Sequence, residues 1–327
     1  MDGRWIDPAT LMRIRSLELR ARAIVEGSRS GTNRSPWHGF SVEFTEYRPY
    51  SPGDDLRYLD WRLFARSDRY CVKRFEDETN LRCHILLDAS RSMDYGSLPY
   101  TKMDYARTLA ATLGYFLHLQ GDAVGLARFA AEIEELIPAR HRPGHLRRLL
   151  VALEKRPAGT ETDLARPLET LAERLTRRGL VVLISDLLAP IDALAPHLSR
   201  LRFRGHEVLV FHILDPAEAR FEFDAVRDPA RSDPIQRVQA NAAPSIFRDI
   251  ESGRELHVDP AAVRESYLRR LAEHEEAIRA ACARLGVEYR RFVTDEPLEI
   301  ALTEFLHARD SAGRRPFRRP RSAGRAA

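Results

Sequence analysis

Cysteine is scarce in this chain of 327 residues, which contains only Cys71, Cys83 and Cys282. An odd number of widely spaced cysteines excludes a disulfide framework and a C-x-x-C zinc site. Long apolar runs are also missing: no uninterrupted run exceeds five residues, whereas a membrane-spanning helix needs about 20. The N-terminal residues show no basic segment followed by an apolar stretch, as a secretory signal would. These absences predict a protein of the reducing cytoplasm with no membrane span.

Lysine is rare too: Lys73, Lys102 and Lys155 are the only lysines among 52 basic residues. The net charge is +4, but residues 309–327 hold seven arginines and one aspartate, a surplus of +6. The rest of the chain is therefore nearly neutral, at −2. Arginine mixed with proline, serine and glycine predicts a disordered basic tail over 309–327. Because clustered arginines attract phosphates, a nucleic-acid binder acting through this tail is one alternative function.

The pattern of the first 80 residues predicts an N-terminal helix and a small subdomain. Apolar residues recur at three- and four-residue spacing from Pro8 to Glu26, and Gly27 follows. This pattern predicts an amphipathic helix within residues 1–28 that docks on the protein's own core. Residues 29–80 are dense in aromatic and β-branched side chains around a Ser-Pro-Gly-Asp turn, which predicts a small β-rich subdomain.

From residue 81 to 308, short apolar strands alternate with longer helices. Near-continuous strands such as Leu180–Ile184 predict an α/β fold with a doubly wound, mostly parallel sheet that helices flank on both faces. Residues 215–259 interrupt the alternation and predict an insertion that ends in a hairpin, Ser245–Val258. A long helix over Pro260–Leu285 and a last helix over Glu296–His307 follow.

Oxygen-bearing side chains follow two of the apolar strands. Asp88, Ser90 and Ser92 form an Asp-x-Ser-x-Ser turn directly after one strand, and Asp186 follows another. A hydroxyl-bearing loop that contains Thr160 and Thr162 lies between them along the chain. Loops beyond the carboxyl ends of parallel strands meet at one edge of a sheet. Carboxylates and neutral hydroxyls without His or Cys suit Mg²⁺ or Mn²⁺.

This set resembles the metal-ion-dependent adhesion site of von Willebrand factor A domains. In that family, apolar residues stand two and six positions after the threonine. Thr162 fits this spacing, because Leu164 and Leu168 stand at those two positions. Thr160 fits it less well. The resemblance therefore implies Asp88, Ser90, Ser92, Thr162 and Asp186 as the metal ligands. Family members usually have glycine after the last aspartate, where this chain has Leu187. A degenerate site that keeps the fold and binds no ion is the alternative.

A second resemblance covers nearly the whole chain. It depends on the run Tyr47–Trp61, on Ala65-Arg66, Lys73 and Glu78, and on the segments 249–253 and 294–298. These positions are similar to the bacterial family called domain of unknown function 58. That resemblance implies a von Willebrand factor A-like protein, cytoplasmic or membrane-tethered, that is commonly encoded beside a MoxR-type AAA+ ATPase.

Seven side chains in the Tyr47–Arg66 signature have two interpretations. Either they form a structural network of ion pairs and turns around the tryptophan, or they form a surface that binds the partner. The residues are Arg48, Tyr50, Asp54, Arg57, Asp60, Trp61 and Arg66.

The leading functional hypothesis is a non-enzymatic, metal-dependent interaction module that acts as an adaptor for a MoxR-type AAA+ ATPase. A metal-dependent hydrolase or phosphotransferase that uses Asp88 is the enzymatic alternative. Aspartyl phosphatases need a second aspartate two residues on, where this chain has Ser90. The sequence also contains no G-x-S-x-G, H-E-x-x-H or Gly-rich phosphate loop to support other chemistry.

Overall fold

The computed structural model describes residues 5–30, 47–49, 71–73, 81–155, 164–223, 245–248 and 255–313. The chain divides into two compact units, a smaller one of residues 32–80 and a larger one that combines residues 1–31 and 81–327. In the smaller unit, strand β1 (Tyr47–Pro49) pairs antiparallel with strand β2 (Cys71–Lys73). Both strands lie in the segment for which the sequence predicts β-structure.

A six-stranded sheet lies at the centre of the larger unit. Its strands are β3 (Arg82–Asp88), β4 (Ala123–Phe129), β5 (Ile133–Arg140), β6 (Leu180–Ser185), β7 (Glu207–Leu214) and β10 (Glu288–Val293). Their order across the sheet is β10-β7-β6-β3-β4-β5, and only β4 and β5 are antiparallel neighbours. If these six strands are renumbered 1 to 6 along the chain and the sheet is read from β5, the order is 3-2-1-4-5-6. This is the strand order of a doubly wound sheet. The predicted α/β class with a mostly parallel sheet is confirmed.

Strand β5 is missed by the sequence analysis. Among the described strands it pairs only with β4, at the edge of the sheet, and its side chains are exposed, partly buried or, at Ile137 and Ala139, buried. The central strands β4 and β6 are buried at every position. An edge strand with one solvated face lacks the continuous apolar run by which the central strands are recognised.

Helices cover both faces of the sheet. They are α1 (Pro8–Met12), α2 (Leu17–Ser30), α3 (Lys102–Leu119), α4 (His145–Glu154), α5 (Ala165–Arg174), α6 (Ile191–Phe203), α7 (Pro216–Arg220), α8 (Pro260–Leu285) and α9 (Leu298–Gly313). On one face, Leu168 of α5 and Ile278 of α8 share a core with Leu183 of β6. On the other face, α3 packs against α2 and α9, and the rings of Phe116 and Phe305 meet edge to face at 6.5 Å. Among the described helices, none is both long and apolar enough to cross a membrane.

The predicted single helix over Pro8–Glu26 is wrong, because the structure has two helices, α1 and α2, with residues 13–16 between them. Asp7 caps α1 by accepting a 2.8 Å hydrogen bond from the Thr10 amide. The buried Arg20 side chain donates to the Ile14 carbonyl in the break. This bond satisfies a carbonyl that the interruption leaves without a helical partner.

The predicted boundary of a tail at residue 309 is also wrong, because α9 continues to Gly313. Ala308, Arg309 and Ala312 favour helix, and the first glycine after the apolar pattern stands at 313. Residues 314–327 lie outside the described residues.

The predicted hairpin is confirmed. Strand β8 (Ser245–Arg248) pairs antiparallel with strand β9 (Glu255–Val258), with Ser245 opposite Val258. Helix α8 then begins at Pro260 and ends at Leu285, as the sequence predicts.

Candidate metal centre

The centre lies at the point where the strand order of the sheet reverses. From β3 the chain crosses to β4 on one side and later returns to β6 on the other side of β3. The loops that follow β3 and β6 therefore diverge, and a doubly wound sheet binds ligands in the crevice between such loops. Asp88 is the last residue of β3, and Asp186 directly follows β6.

Hydrogen bonds hold the Asp-x-Ser-x-Ser turn in one conformation. The Ser90 amide donates to Asp88 Oδ1 at 2.9 Å, and the Oγ atoms of Ser90 and Ser92 lie 3.0 Å apart. Ser185 Oγ donates to Asp88 Oδ2 at 2.6 Å, which ties the turn to the neighbouring strand. Asp88, Ser90 and Ser185 are fully buried, and Ser92 is 7% exposed. Ser92 is thus the least deeply buried of these four side chains, and Asp88 lies behind it.

Asp186 has one oxygen occupied and one free. Its Oδ2 accepts a hydrogen bond from Lys102 Nζ at 2.9 Å, and the same ammonium lies 2.7 Å from Glu218 Oε1. Asp186 Oδ1 is buried and has no hydrogen-bond partner among the residues that the structure describes. Because a buried acceptor without a partner costs free energy, this atom marks a position where a cation or its bound water would be stabilising.

The electrostatics also favour a cation. Burial, together with a smaller contribution from the nearby Asp186 carboxylate, raises the pKa of Asp88 to about 6. Burial lowers the pKa of Lys102, but the carboxylates of Asp186 and Glu218 outweigh this effect, so its pKa lies above the usual range and the ammonium stays charged. Burial also raises the pKa of Glu218. Two desolvated carboxylates that face each other are stabilised as anions by positive charge between them.

Four of the five predicted ligands lie together at this edge. Asp88, Ser90, Ser92 and Asp186 occupy the ends of β3 and β6, whereas Thr160 and Thr162 lie outside the described residues. The apolar positions by which Thr162 was selected, Leu164 and Leu168, are 1% and 0% exposed in the core. Within the described ranges, no three His, Cys, Asp or Glu side chains form a metal-binding group. The donor set is two carboxylates with neutral hydroxyls, which fits a hard divalent ion.

Sequence reasoning missed Ser185, Lys102, Glu218 and Asp215. Ser185 adjoins Asp186 at a strand end, and that position is the signal that could have found it. Asp215 follows β7 and accepts hydrogen bonds from the amides of Ser97 at 2.9 Å and Ala217 at 2.8 Å. It forms a capping box with Glu218 at the start of α7, which aims Glu218 at Lys102.

Leu187 has the backbone conformation that glycine adopts easily. Its φ is +50°, in the left-handed region that a branched side chain rarely enters. Its side chain is fully buried, its amide donates to Ser185 Oγ at 3.0 Å, and His274 Nε2 donates to its carbonyl at 2.8 Å. The turn after Asp186 thus has the left-handed conformation at Leu187, the position where the resemblance implies glycine.

The predicted partner-binding set cannot be placed in the same way. Arg48 lies in β1, where the structure describes the backbone. Tyr50, Asp54, Arg57, Asp60, Trp61 and Arg66 lie outside the described residues.

The comparison with family models decides the relationship of the chain. The model described as Protein of unknown function DUF58 matches residues 46–277, which is more than half of the chain. The chain belongs to this family. Uncharacterized proteins of Mycobacterium bovis and Mycobacterium tuberculosis are 29% identical over 308 residues, covering 93% of this chain and 90% of theirs. An uncharacterized protein of Mycobacterium avium is 28% identical over 53% of this chain and 93% of its own length.

Two solved structures are similar at low identity. The conserved hypothetical protein BatB from Bacteroides thetaiotaomicron is 14% identical with a TM-score of 0.45, covering 72% of this chain and all of that chain. An aerotolerance-related membrane protein from Bacteroides fragilis is 16% identical with a TM-score of 0.46, covering 69% of this chain and 98% of its own.

Proposed function

We propose that this DUF58 protein is a non-enzymatic interaction module of the cytoplasm that binds its partner through a Mg²⁺ or Mn²⁺ ion. Asp88, Ser90, Ser92, Thr162 and Asp186 would hold the ion. The partner proposed from the family resemblance is a MoxR-type AAA+ ATPase. When bound, such an ion offers an open coordination position to a carboxylate oxygen from outside the chain.

The observation that carries this proposal is the free Oδ1 of Asp186. Within the described ranges it is buried without a hydrogen-bond partner, beside an Asp88 carboxyl whose pKa burial raises to about 6. A protein gains stability when a cation compensates two desolvated carboxylates and supplies the missing partner. The position at the reversal of the strand order is also where doubly wound sheets bind ligands.

The residues of the centre have different roles in the proposed function. Ser185 Oγ and the Ser90 amide hold both Asp88 oxygens at fixed positions, at 2.6 and 2.9 Å. Ser90 and Ser92 contribute hydroxyls that carry no charge, so the donor set leaves positive charge available for an acidic group of the partner. Ser92 is the least deeply buried of Asp88, Ser90, Ser92 and Ser185, so we expect a partner to approach from its side.

The same geometry argues against Asp88 as a nucleophile. Both of its oxygens accept hydrogen bonds, and the side chain is fully buried. A nucleophilic carboxylate must reach a bulky substrate, whereas a small ion can use the lone pairs that these two oxygens keep after accepting hydrogen bonds. The nucleic-acid alternative depends on arginines in 314–327, outside the described residues, and stays a prediction from the sequence.

The ion is tested by thermal unfolding of the full chain. Mg²⁺ or Mn²⁺ should raise Tm, because a ligand that binds only the folded state stabilises it. Asp88→Ala should remove that shift, whereas Asp192→Ala, an exposed aspartate on α6, should keep it. An Asp88→Ala protein with an undiminished shift would contradict the ligand assignment.

The partner is tested by co-purification with the MoxR-type ATPase. The complex should form with Mg²⁺ or Mn²⁺, dissociate with EDTA, and be lost in the double variant Ser90→Ala/Ser92→Ala. Ser199→Ala, an exposed serine in the middle of α6, is the matched control and should bind normally. Binding that survives both chelation and the double variant would move the interface elsewhere, with the Tyr47–Arg66 signature tested next. Hydrolysis of a phosphate ester that Asp88→Asn abolishes would favour the enzymatic alternative instead.

A further inference from the structure

A buried ammonium already lies beside the proposed ion position. Lys102, in the first turn of α3, has no exposed side-chain surface, and its Nζ lies 2.9 Å from Asp186 Oδ2 and 2.7 Å from Glu218 Oε1. The ammonium is also 5.8 Å from the centroid of the Tyr95 ring, in the loop that follows Ser92. It therefore connects the ends of β3 and β6 with helix α7. The set of ligands implied by the resemblance gives it no role.

Burying the Lys102 ammonium costs free energy, so the position of this group needs an explanation. The cost is offset by Asp186 and Glu218, which are themselves buried and would each be costly without a counter-charge. Asp186 Oδ2 is bonded to Lys102, whereas Oδ1, which has no partner among the described side chains, is left for the proposed ion. Two cations that share one carboxylate repel each other, and the burial of Lys102 and Asp186 weakens the screening of this repulsion by solvent.

We propose that Lys102 is a resident cation that sets the affinity of the centre for divalent ions. It neutralises Asp186 in the ion-free protein and makes ion binding weaker than the bare oxygen donors would allow. Glu218 opposes this effect, because its carboxylate partly neutralises the ammonium that faces Asp186. Since α7 carries Glu218 through the capping box with Asp215, the position of α7 adjusts ion affinity. This inference rests on the metal-dependent function proposed above.

The test measures Mn²⁺ binding to the full chain by calorimetry and by the electron paramagnetic resonance signal of free Mn²⁺. Lys102→Met should bind about tenfold more tightly or better, because a positive charge is removed from beside the ion. Glu218→Gln should bind several-fold more weakly, because the ammonium then serves Asp186 alone. Lys155→Met removes the same charge from an exposed lysine paired with Glu135 and should leave affinity unchanged.

The opposite signs separate this role from a merely structural one. If the ion pair only supported the fold, both Lys102→Met and Glu218→Gln would weaken binding. If Lys102→Met fails to fold, the double variant Lys102→Met/Glu218→Gln removes both charges, and it should bind more tightly than Glu218→Gln.

The outcomes also separate this inference from the proposed function. Mn²⁺ binding by the natural protein that Lys102→Met leaves unchanged or weakens overturns the inference and leaves the function standing. Binding by Lys102→Met alone supports the inference and overturns metal dependence in the natural protein. Folded proteins of both kinds that bind no Mn²⁺ overturn both.

Discussion

At the scale of single residues, the turn after Asp186 combines backbone strain with tight packing. Leu187 has a φ of +50° and a fully buried side chain. A side chain in the left-handed region costs roughly 1 kcal/mol relative to glycine. The buried leucine offsets this cost, since it packs in the core between the sheet and α5, α6 and α8. The conformation of the Asp186 loop is therefore maintained by apolar packing.

Two substitutions at Leu187 separate the cost of the backbone strain from the stabilisation by apolar packing. Leu187→Ala should destabilise the protein by about 3 kcal/mol or more, because it opens a cavity and keeps the strain. Leu187→Gly opens a larger cavity but releases the strain, so it should be no less stable than Leu187→Ala, although glycine normally costs about 1 kcal/mol more. Chemical denaturation measures the difference. A Leu187→Gly protein that is clearly less stable than Leu187→Ala would contradict the strained turn.

At the scale of elements, α9 belongs to the core and is more than a C-terminal extension. Leu298, Leu302 and Phe305 are completely buried, and Phe305 meets Phe116 of α3 edge to face. Ile6, before α1, donates its amide to Glu299 of α9 at 3.0 Å. The two ends of the larger unit thus pack together against α3.

Truncation after Gly313 should leave Tm nearly unchanged. The removed residues 314–327 include a single large apolar residue, Phe317, and so offer little apolar surface to bury. Phe305→Ala in the full chain should instead cost about 3–5 kcal/mol, as is usual for a fully buried phenylalanine. A truncated protein that loses several degrees would show that the segment after α9 contributes to stability.

At the scale of the whole molecule, histidines of the central sheet link folding to pH. Burial lowers the pKa of His212 to about 4, and burial does the same for His84. His212 is fully buried in β7, and its Nδ1 lies 2.7 Å from the Tyr289 hydroxyl. Between about pH 4 and 6.5 the unfolded chain protonates these histidines and the folded protein does not. Stability from this source is therefore complete above pH 6.5 and is lost as the pH falls towards 4.

His212→Gln should flatten this acid dependence. One histidine with such a shift is worth on the order of 3 kcal/mol between pH 6.5 and 4. Without an ion, Asp88 acts in the opposite sense, because its pKa is raised to about 6. The test therefore compares the pH profiles of unfolding free energy of the natural protein and His212→Gln under the same chelating conditions. Parallel profiles would show that His212 does not carry the linkage.

The sequence by itself determined the α/β class and the position of the candidate centre. The central strands are apolar at nearly every position because both faces of the sheet are covered, and that pattern is local. Asp88, Ser90, Ser92 and Asp186 were recognisable because each lies at or just beyond a strand end. Helix α8 was predicted from Pro260 to Leu285 because its apolar stripe is long and its ends are marked.

Only the tertiary structure decided the charge balance of the centre. Lys102 is 84 residues from Asp186 along the chain and 116 from Glu218, so no spacing rule connects them. Ser185 is 97 residues from Asp88, which it holds at 2.6 Å. Such contacts arise from the order of strands across the sheet. A local pattern records which residues are buried and leaves open which buried charge meets which.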